Sequence, residues 1–339
     1  MNKEYIFKRV AFSSATLILV ILIGIFVMLF LSAKPAMQEY GWHFLVDSSW
    51  GKIVEIKSPN SKLIKESTQN TNVSSKSDED EDENLFADED ESVLPGTEEE
   101  DADSGETQNV ITKTIYGGFV PIIGTILSTL VAMAFAMPIA MGISIFLSEI
   151  APKFLVKPVG LAIELLAAIP SIIYGMWGLF YFAPMVQKVV GGSQISLLTA
   201  GLVLGIMILP FMAAITRDSM NTTPDVLKES AYSLGATKFE VIKDIIFPYA
   251  KVGIIGSVIL SLGRALGETM AVAFLIGSVF KIPNSITSPT ISIPVVLANN
   301  FGEAGGNMLS SLFYLAFILF VFSFIVIGVA KFYFLKGNR

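Results

Sequence analysis

The sequence predicts an all-α membrane protein of about six transmembrane helices. Three observations carry this. Of 339 residues, 53% are hydrophobic and only 16% are charged, and the mean hydropathy is +0.64. That composition belongs to the membrane class rather than to soluble domains. Six apolar runs are each long enough to cross a hydrocarbon core, which takes roughly 20 residues of helix. Lipid offers no hydrogen-bond partners, so such runs must be helical. Cysteine is absent and His43 is the single histidine. A disulfide, a thiolate nucleophile, a histidine-based metal cluster and a catalytic triad are thereby excluded.

Residues 1–33 read as a short basic start (Lys3, Lys8, Arg9) and a first helix from Val10 to Ala33. The apolar run is longer than a signal-peptide core and lacks a small-residue cleavage site, so a retained helix is expected. Residues 34–113 read as a polar extracytoplasmic loop, with Trp42 and Trp50 at the outer headgroup level. Within it, residues 58–106 hold too few apolar side chains to offset the entropy of ordering, and disorder is expected there. Sixteen of the chain's 30 acidic residues lie between Asp78 and Glu106, with no base among them. The net charge of −7 therefore hides a basic remainder. The acidic blocks lack the glycine and ligand order of an EF-hand loop, so a solvated insertion is the favoured reading over an ion site.

Residues 114–339 read as a five-helix core, with spans near 119–147, 156–184, 196–216, 252–280 and 310–335. Orientation follows from Lys and Arg in the short loops. With the N-terminus inside, thirteen bases fall on the inner side, and the two short outer loops hold only Lys188 and Lys281. Both termini are thus expected to be cytoplasmic, and the acidic segment outside.

The stretch 223–248 is too polar to span and falls on the inner side. Thr223-Pro224 reads as an N-cap and first turn, with Asp225 at the positive helix end. Leu227, Ala231 and Leu234 fall at i, i+4, i+7, one helical face. Gly235 can adopt the left-handed conformation that stops a helix. Thr237 and Glu240 form a capping box, and Pro248 closes the segment. Geometry alone is satisfied by two amphipathic surface helices.

The fifth span carries Arg264 and Glu268 at i, i+4. Each charge near mid-membrane costs roughly 2.5–3.5 kcal/mol, which implies a partner or a wet cavity. The two can pair and lock the bundle, or line an anion path, where the forked guanidinium suits an oxyanion. Gly263 and Gly267 leave room for a neighbouring helix, as do Gly201 and Gly205 in the fourth span. In the third span Glu164 lies near the inner end, and Pro170 kinks the helix. Ser171 and Tyr174 offer hydroxyls, while Pro170 and Gly175 also read as packing residues.

Two resemblances join these pieces. Glu229-Ser230-Ala231, three residues, Gly235, nine residues, Ile245, one residue, Phe247-Pro248 resembles the "EAA" loop of type I ABC importer permeases of the MetI-like fold. Ser230 and Phe247 replace an Ala and a Leu of that pattern. The segments Glu164–Gly178 and Arg264–Val272 resemble phosphate-specific permeases of the Pst system, of the PstC type. From this resemblance the loop is a coupling helix that seats on an ATPase subunit through Glu229, Ser230, Ala231, Gly235, Ile245 and Pro248. Arg264 and Glu268 match positions that the resemblance places on the phosphate path, and Glu164, Ser171 and Tyr174 are read as lining it with them. Implied partners are a second, PstA-type permease, PstB-type ATPase subunits, and an extracytoplasmic phosphate-binding protein. The chain has no Gly-x-x-x-x-Gly-Lys-Ser/Thr loop. ATP and Mg²⁺ would therefore sit on the partner ATPase, with no cofactor, metal or catalytic residue on this chain. A bacterial plasma membrane is the implied location, and no nucleic acid is implied. Competing readings are a permease for molybdate or sulfate, a secondary transporter or channel, and a membrane sensor. The last lacks a signalling domain, and the loop at 223–248 speaks against the transporter or channel.

Overall fold

A computed structural model describes residues 2–56 and 111–336. The expected disorder of 58–106 lies outside the described residues. Contacts divide the chain into two units, residues 1–52 with 115–339, and residues 53–114. The described ends of the second unit belong to strands β1 (Trp50–Ile56) and β2 (Ile111–Tyr116), which pair as a two-stranded sheet.

The first unit is helical. Helix α1 runs Asn2–Tyr40, longer than the apolar run that nucleates it, and a 3-10 turn, Gly41–Leu45, follows. Among the described residues, five helices are long and apolar enough to cross a membrane, or six spans if one bent pair is counted as a crossing. They are α1, then α2 (Phe119–Ile145), α6 (Leu197–Asn221), α9 (Phe247–Leu266) and α12 (Gly306–Lys336). The bent pair is α3 (Lys153–Ala168) with α4 (Ser171–Trp177) and α5 (Ala183–Val190), turned by 91°. The kink expected at Pro170 is thus a full break. Proline there has no N–H to give Leu166 and biases Ile169 away from helical geometry.

Helix α6 is the most buried span, and α2 and α9 pack on it. Between apolar helices in lipid there is little hydrophobic drive, so close fit must do the work. Helix α2 supplies it with a stripe at every fourth position: Gly124, Ser128, Ala132, Ala136, Ala140 and Ser144 are all buried. Opposite, a Cβ on Gly201 would meet Val131 Cγ1 at 2.6 Å, and one on Gly205 the Ala132 carbonyl at 3.1 Å. Ser144 Oγ donates to the Ala213 carbonyl of α6 at 2.9 Å. The Thr216 and Ser257 hydroxyls, both fully buried, meet at 2.6 Å between α6 and α9. Each of these bonds replaces a hydroxyl that lipid would leave unsatisfied.

Among the described residues, three π-helical segments occur: Phe146–Ile150 at the end of α2, Gly178–Phe182, and Val241–Ile246. Each ends two residues before a proline: Pro152, Pro184 and Pro248. A wide turn there relieves the clash of the proline ring with the preceding turn. Consequently Pro248 does not close the 223–248 segment as expected; it lies within one helix that runs from Lys238 to Leu266. Trp42 is 84% exposed, as suits a headgroup anchor, whereas Trp50 is stacked on Phe280 at 5.0 Å between ring centroids.

Candidate functional site

The chain between α6 and α9 folds as a helix, a glycine turn and a second helix. Helix α7 spans Asp225–Ser233, and α8, Lys238–Glu240, opens the helix that continues as α9. Asp225 stands in the first turn of α7. The Thr223 hydroxyl is buried and makes no cap bond, contrary to the sequence reading. Gly235 takes φ +88°, a region that disfavours any residue with a Cβ. Its N–H donates to the Tyr232 carbonyl at 2.9 Å, and Ala236 N–H donates to the Ala231 carbonyl at 3.1 Å. Those two bonds make a Schellman stop. Thr237 and Glu240 form the expected capping box.

The face of α7 differs from the expected Leu227–Ala231–Leu234 stripe. Ala231 packs half-buried on a cluster of Val241, Ile242, Ile246 and Met220. Leu234 is 90% exposed, because the left-handed turn at Gly235 swings the chain off the helix face. Glu229 and Ser230 are also exposed, with Val226 and Phe239. A hollow of about 380 Å³ opens between the two helices, lined by Ala231, Gly235, Glu240, Asp244 and Ile245. An exposed apolar rim around charged groups at a helix–turn–helix suits the docking of another protein. Lys228 was not singled out from sequence. Its ammonium reaches Glu149 Oε1 at 2.8 Å, from α7 to the π-helical end of α2. The partners are 79 residues apart, and no local pattern announces such a pair.

The residues expected to line a path separate into two groups. Helix α9 ends at Leu266 with Gly267 as its cap. Arg264 and Glu268 are therefore not on one face of a continuous helix, and no ion pair joins them among the described residues. Gly267 ends the helix, and only its own turn approaches it, while Gly263 faces Ile327 of α12. Glu268 Oε1 accepts from Ala271 N–H at 3.3 Å and so caps the short helix α10, Met270–Ala273. The Arg264 guanidinium lies 5.7 Å from the Phe211 ring centroid. Helix α10 packs on α4 at Gly175, where a Cβ would lie 3.0 Å from Ala271 Cα. Tyr174, Gly175 and, through α10, Glu268 are thus gathered beside the break at Pro170, while Arg264 lies one turn before Glu268 at the end of α9. Ser171 is the first residue of α4 there, half-buried.

Glu164 belongs elsewhere. Its carboxylate pairs with Arg217 Nη2 at 3.4 Å, and the same guanidinium holds Asp218 at 2.8 Å. Gly160 clears the way, since a Cβ there would meet Arg217 Nη1 at 2.6 Å. The Tyr174 hydroxyl donates to the Leu166 carbonyl at 2.9 Å. That is the carbonyl for which Pro170 supplies no N–H. Removing the donor in Tyr174→Phe should cost about 1–2 kcal/mol, read as a lower melting temperature in detergent. An unchanged melting curve would show that the Ile169 N–H, 3.3 Å from the same carbonyl, satisfies it alone.

The sequence matches the family described as "Binding-protein-dependent transport system inner membrane component" over residues 118–336. It is 47% identical over 236 residues to the phosphate transport system permease protein PstC of Pasteurella multocida (strain Pm70), covering 64% of this chain and 74% of that one. It is 46% identical to the protein of that name from Haemophilus influenzae (strain ATCC 51907 / DSM 11121 / KW20 / Rd), covering 64% and 75%. A chain of the MetNI methionine ABC transporter, solved in an inward-facing conformation, superposes with a TM-score of 0.49 at 16% identity, covering 66% of this chain and 95% of that one. On the extent of the family match, this multi-pass chain belongs to the binding-protein-dependent transport system inner membrane components.

Proposed function

We propose that the chain is one permease subunit of an ATP-driven importer of inorganic phosphate. The observation that carries the reading is the α7–Gly235–α8 element, a rigid exposed dock built into the turn between two spans. A separate ATPase, holding ATP and Mg²⁺, closes and pulls on this dock, and the spans follow as rigid bodies. The chain itself catalyses no reaction, and it holds no cofactor or metal. A second permease completes the passage, and an extracytoplasmic binding protein delivers the anion. Both termini and α7 then face the cytoplasm of a bacterium, and the chain lies in its plasma membrane. The names of the relatives support phosphate as the cargo. Arg264 supports an anion path: it is half-buried at the end of a membrane helix, and no carboxylate pairs with it among the described residues. A cation so placed, without a carboxylate partner, favours an oxyanion.

The test is uptake by vesicles holding the chain with its ATPase and second permease, supplied with the binding protein and labelled phosphate. Uptake should require ATP and the binding protein, and excess sulfate or molybdate should not compete. Uptake driven by an ion gradient without ATP would refute the reading in favour of a secondary transporter, and competition by sulfate or molybdate would refute phosphate.

A further inference from the structure

Helix α7 rests on the bundle mainly through apolar contact. Ala231 sits on the cluster of Val241, Ile242, Ile246 and Met220, against which Met141 and Ile145 of α2 also pack. Apolar burial is non-directional. It holds the two elements together but fixes no register between them.

One contact does fix a register. Lys228 Nζ and Glu149 Oε1 lie 2.8 Å apart, with side chains only 16% and 9% exposed. Lys228 also approaches Asp225 within α7, at 3.8 Å. The Ser230 and Ser233 hydroxyls bond inside the helix, to the Val226 and Glu229 carbonyls. Among the described residues, Lys228–Glu149 is therefore the one polar side-chain link from α7 to another element. Separating such a pair strands a charge out of water, so it resists sliding in a way that an apolar face does not. Glu149 stands in the π-helical segment Phe146–Ile150. The extra residue of that wide turn rotates the side chain away from the place a continuing α-helix would give it.

Covalent continuity already ties α7 to α6 on one side and to α8 and α9 on the other. Helix α2 has no such tie. We propose that Lys228 and Glu149 are positioning residues that make α2 move with α7, so that force on the dock enters the bundle through α2 as well as α9. The proposal rests on the importer reading above.

The experiment measures ATP hydrolysis and phosphate uptake together in vesicles holding the whole complex. Lys228→Met and Glu149→Gln should each lower the phosphate carried per ATP by about tenfold, within the coupling range of contacting pairs. Hydrolysis itself should change by less than about twofold, since neither residue contacts nucleotide. The exchanged pair, Lys228→Glu with Glu149→Lys, should recover at least half of the lost ratio. An unchanged ratio in the single variants, or no recovery on exchange, overturns the proposal.

Where the single variants do not assemble, Glu149→Cys with Lys228→Cys decides, in a chain that has no other cysteine. Bridged by a short bis-methanethiosulfonate reagent, which forms a disulfide with each cysteine and releases methanesulfinate, it should carry more phosphate per ATP than the same protein unbridged. Equal ratios overturn the proposal. If the unaltered complex carries no phosphate at all, it is the importer reading that fails. If the unaltered complex couples normally and the variants do too, only this inference fails.

Discussion

Gly235→Pro should abolish phosphate uptake, by roughly 10²-fold or more, while the protein still inserts in the membrane. Two things are lost at once. Proline fixes φ near −65°, whereas Gly235 holds +88°. Proline also has no N–H to give the Tyr232 carbonyl, now bonded at 2.9 Å. The Schellman stop cannot form, and α7 and α8 meet at another angle. Crowding is not the cause, because a Cβ at Gly235 would find nothing within 4 Å. This makes Gly235→Ala an informative control. It keeps the N–H and strains only the backbone, at about 1–2 kcal/mol, so uptake should fall only severalfold. Rates of phosphate entry into vesicles, with membrane content checked by immunoblot, measure both. Normal uptake by the proline variant would show that the angle of this element transmits nothing.

Arg264→Gln should cut phosphate uptake by roughly 50-fold or more, at the scale of losing a charged, bidentate contact. Binding of the ATPase should be unaffected, because Arg264 lies at the far end of α9 from the dock. Arg264→Lys should fall between: the charge remains, but the planar fork and its contact with Phe211 are lost. The measurement is uptake set against co-purification of the ATPase. Full uptake by the glutamine variant would leave Arg264 a packing residue on the Phe211 ring.

Much of the fold was legible because its signals are local. The capping box at Thr237 and Glu240, the stop at Gly235 and the break at Pro170 each depend on a few neighbouring residues. The errors arose where a local rule was carried too far. Arg264 and Glu268 read as one helical face because the apolar run continues past them, yet the helix stops at Leu266 and Glu268 caps α10 instead. Pro248 read as a terminator, and the π-helical segment 241–246 carries the helix through it. Leu234 read as sharing one helical face with Leu227 and Ala231, and the turn at Gly235 leaves it outside. The pairs Lys228–Glu149 and Arg217–Glu164 join distant segments and had no local signal. The small-residue stripe of α2 was legible in principle. Its period of four lay hidden in a run that hydropathy alone reports as uniformly apolar.

That stripe also limits where the molecule can give way. A seam closed by backbone against backbone, and pinned by hydroxyls, has no loose side chains to reshuffle. Over the length of that stripe, Gly124 to Ser144, α2 and α6 should behave like a keel, keeping one shape whatever surrounds them, and the π-helical end of α2 lies beyond it. Adjustment to a thicker or thinner bilayer then falls to elements at the edge. Helix α1 is the clearest of these: none of its spanning window is buried inside the protein, and Phe26 and Phe30 lay it against Phe317 of α12 at the edge.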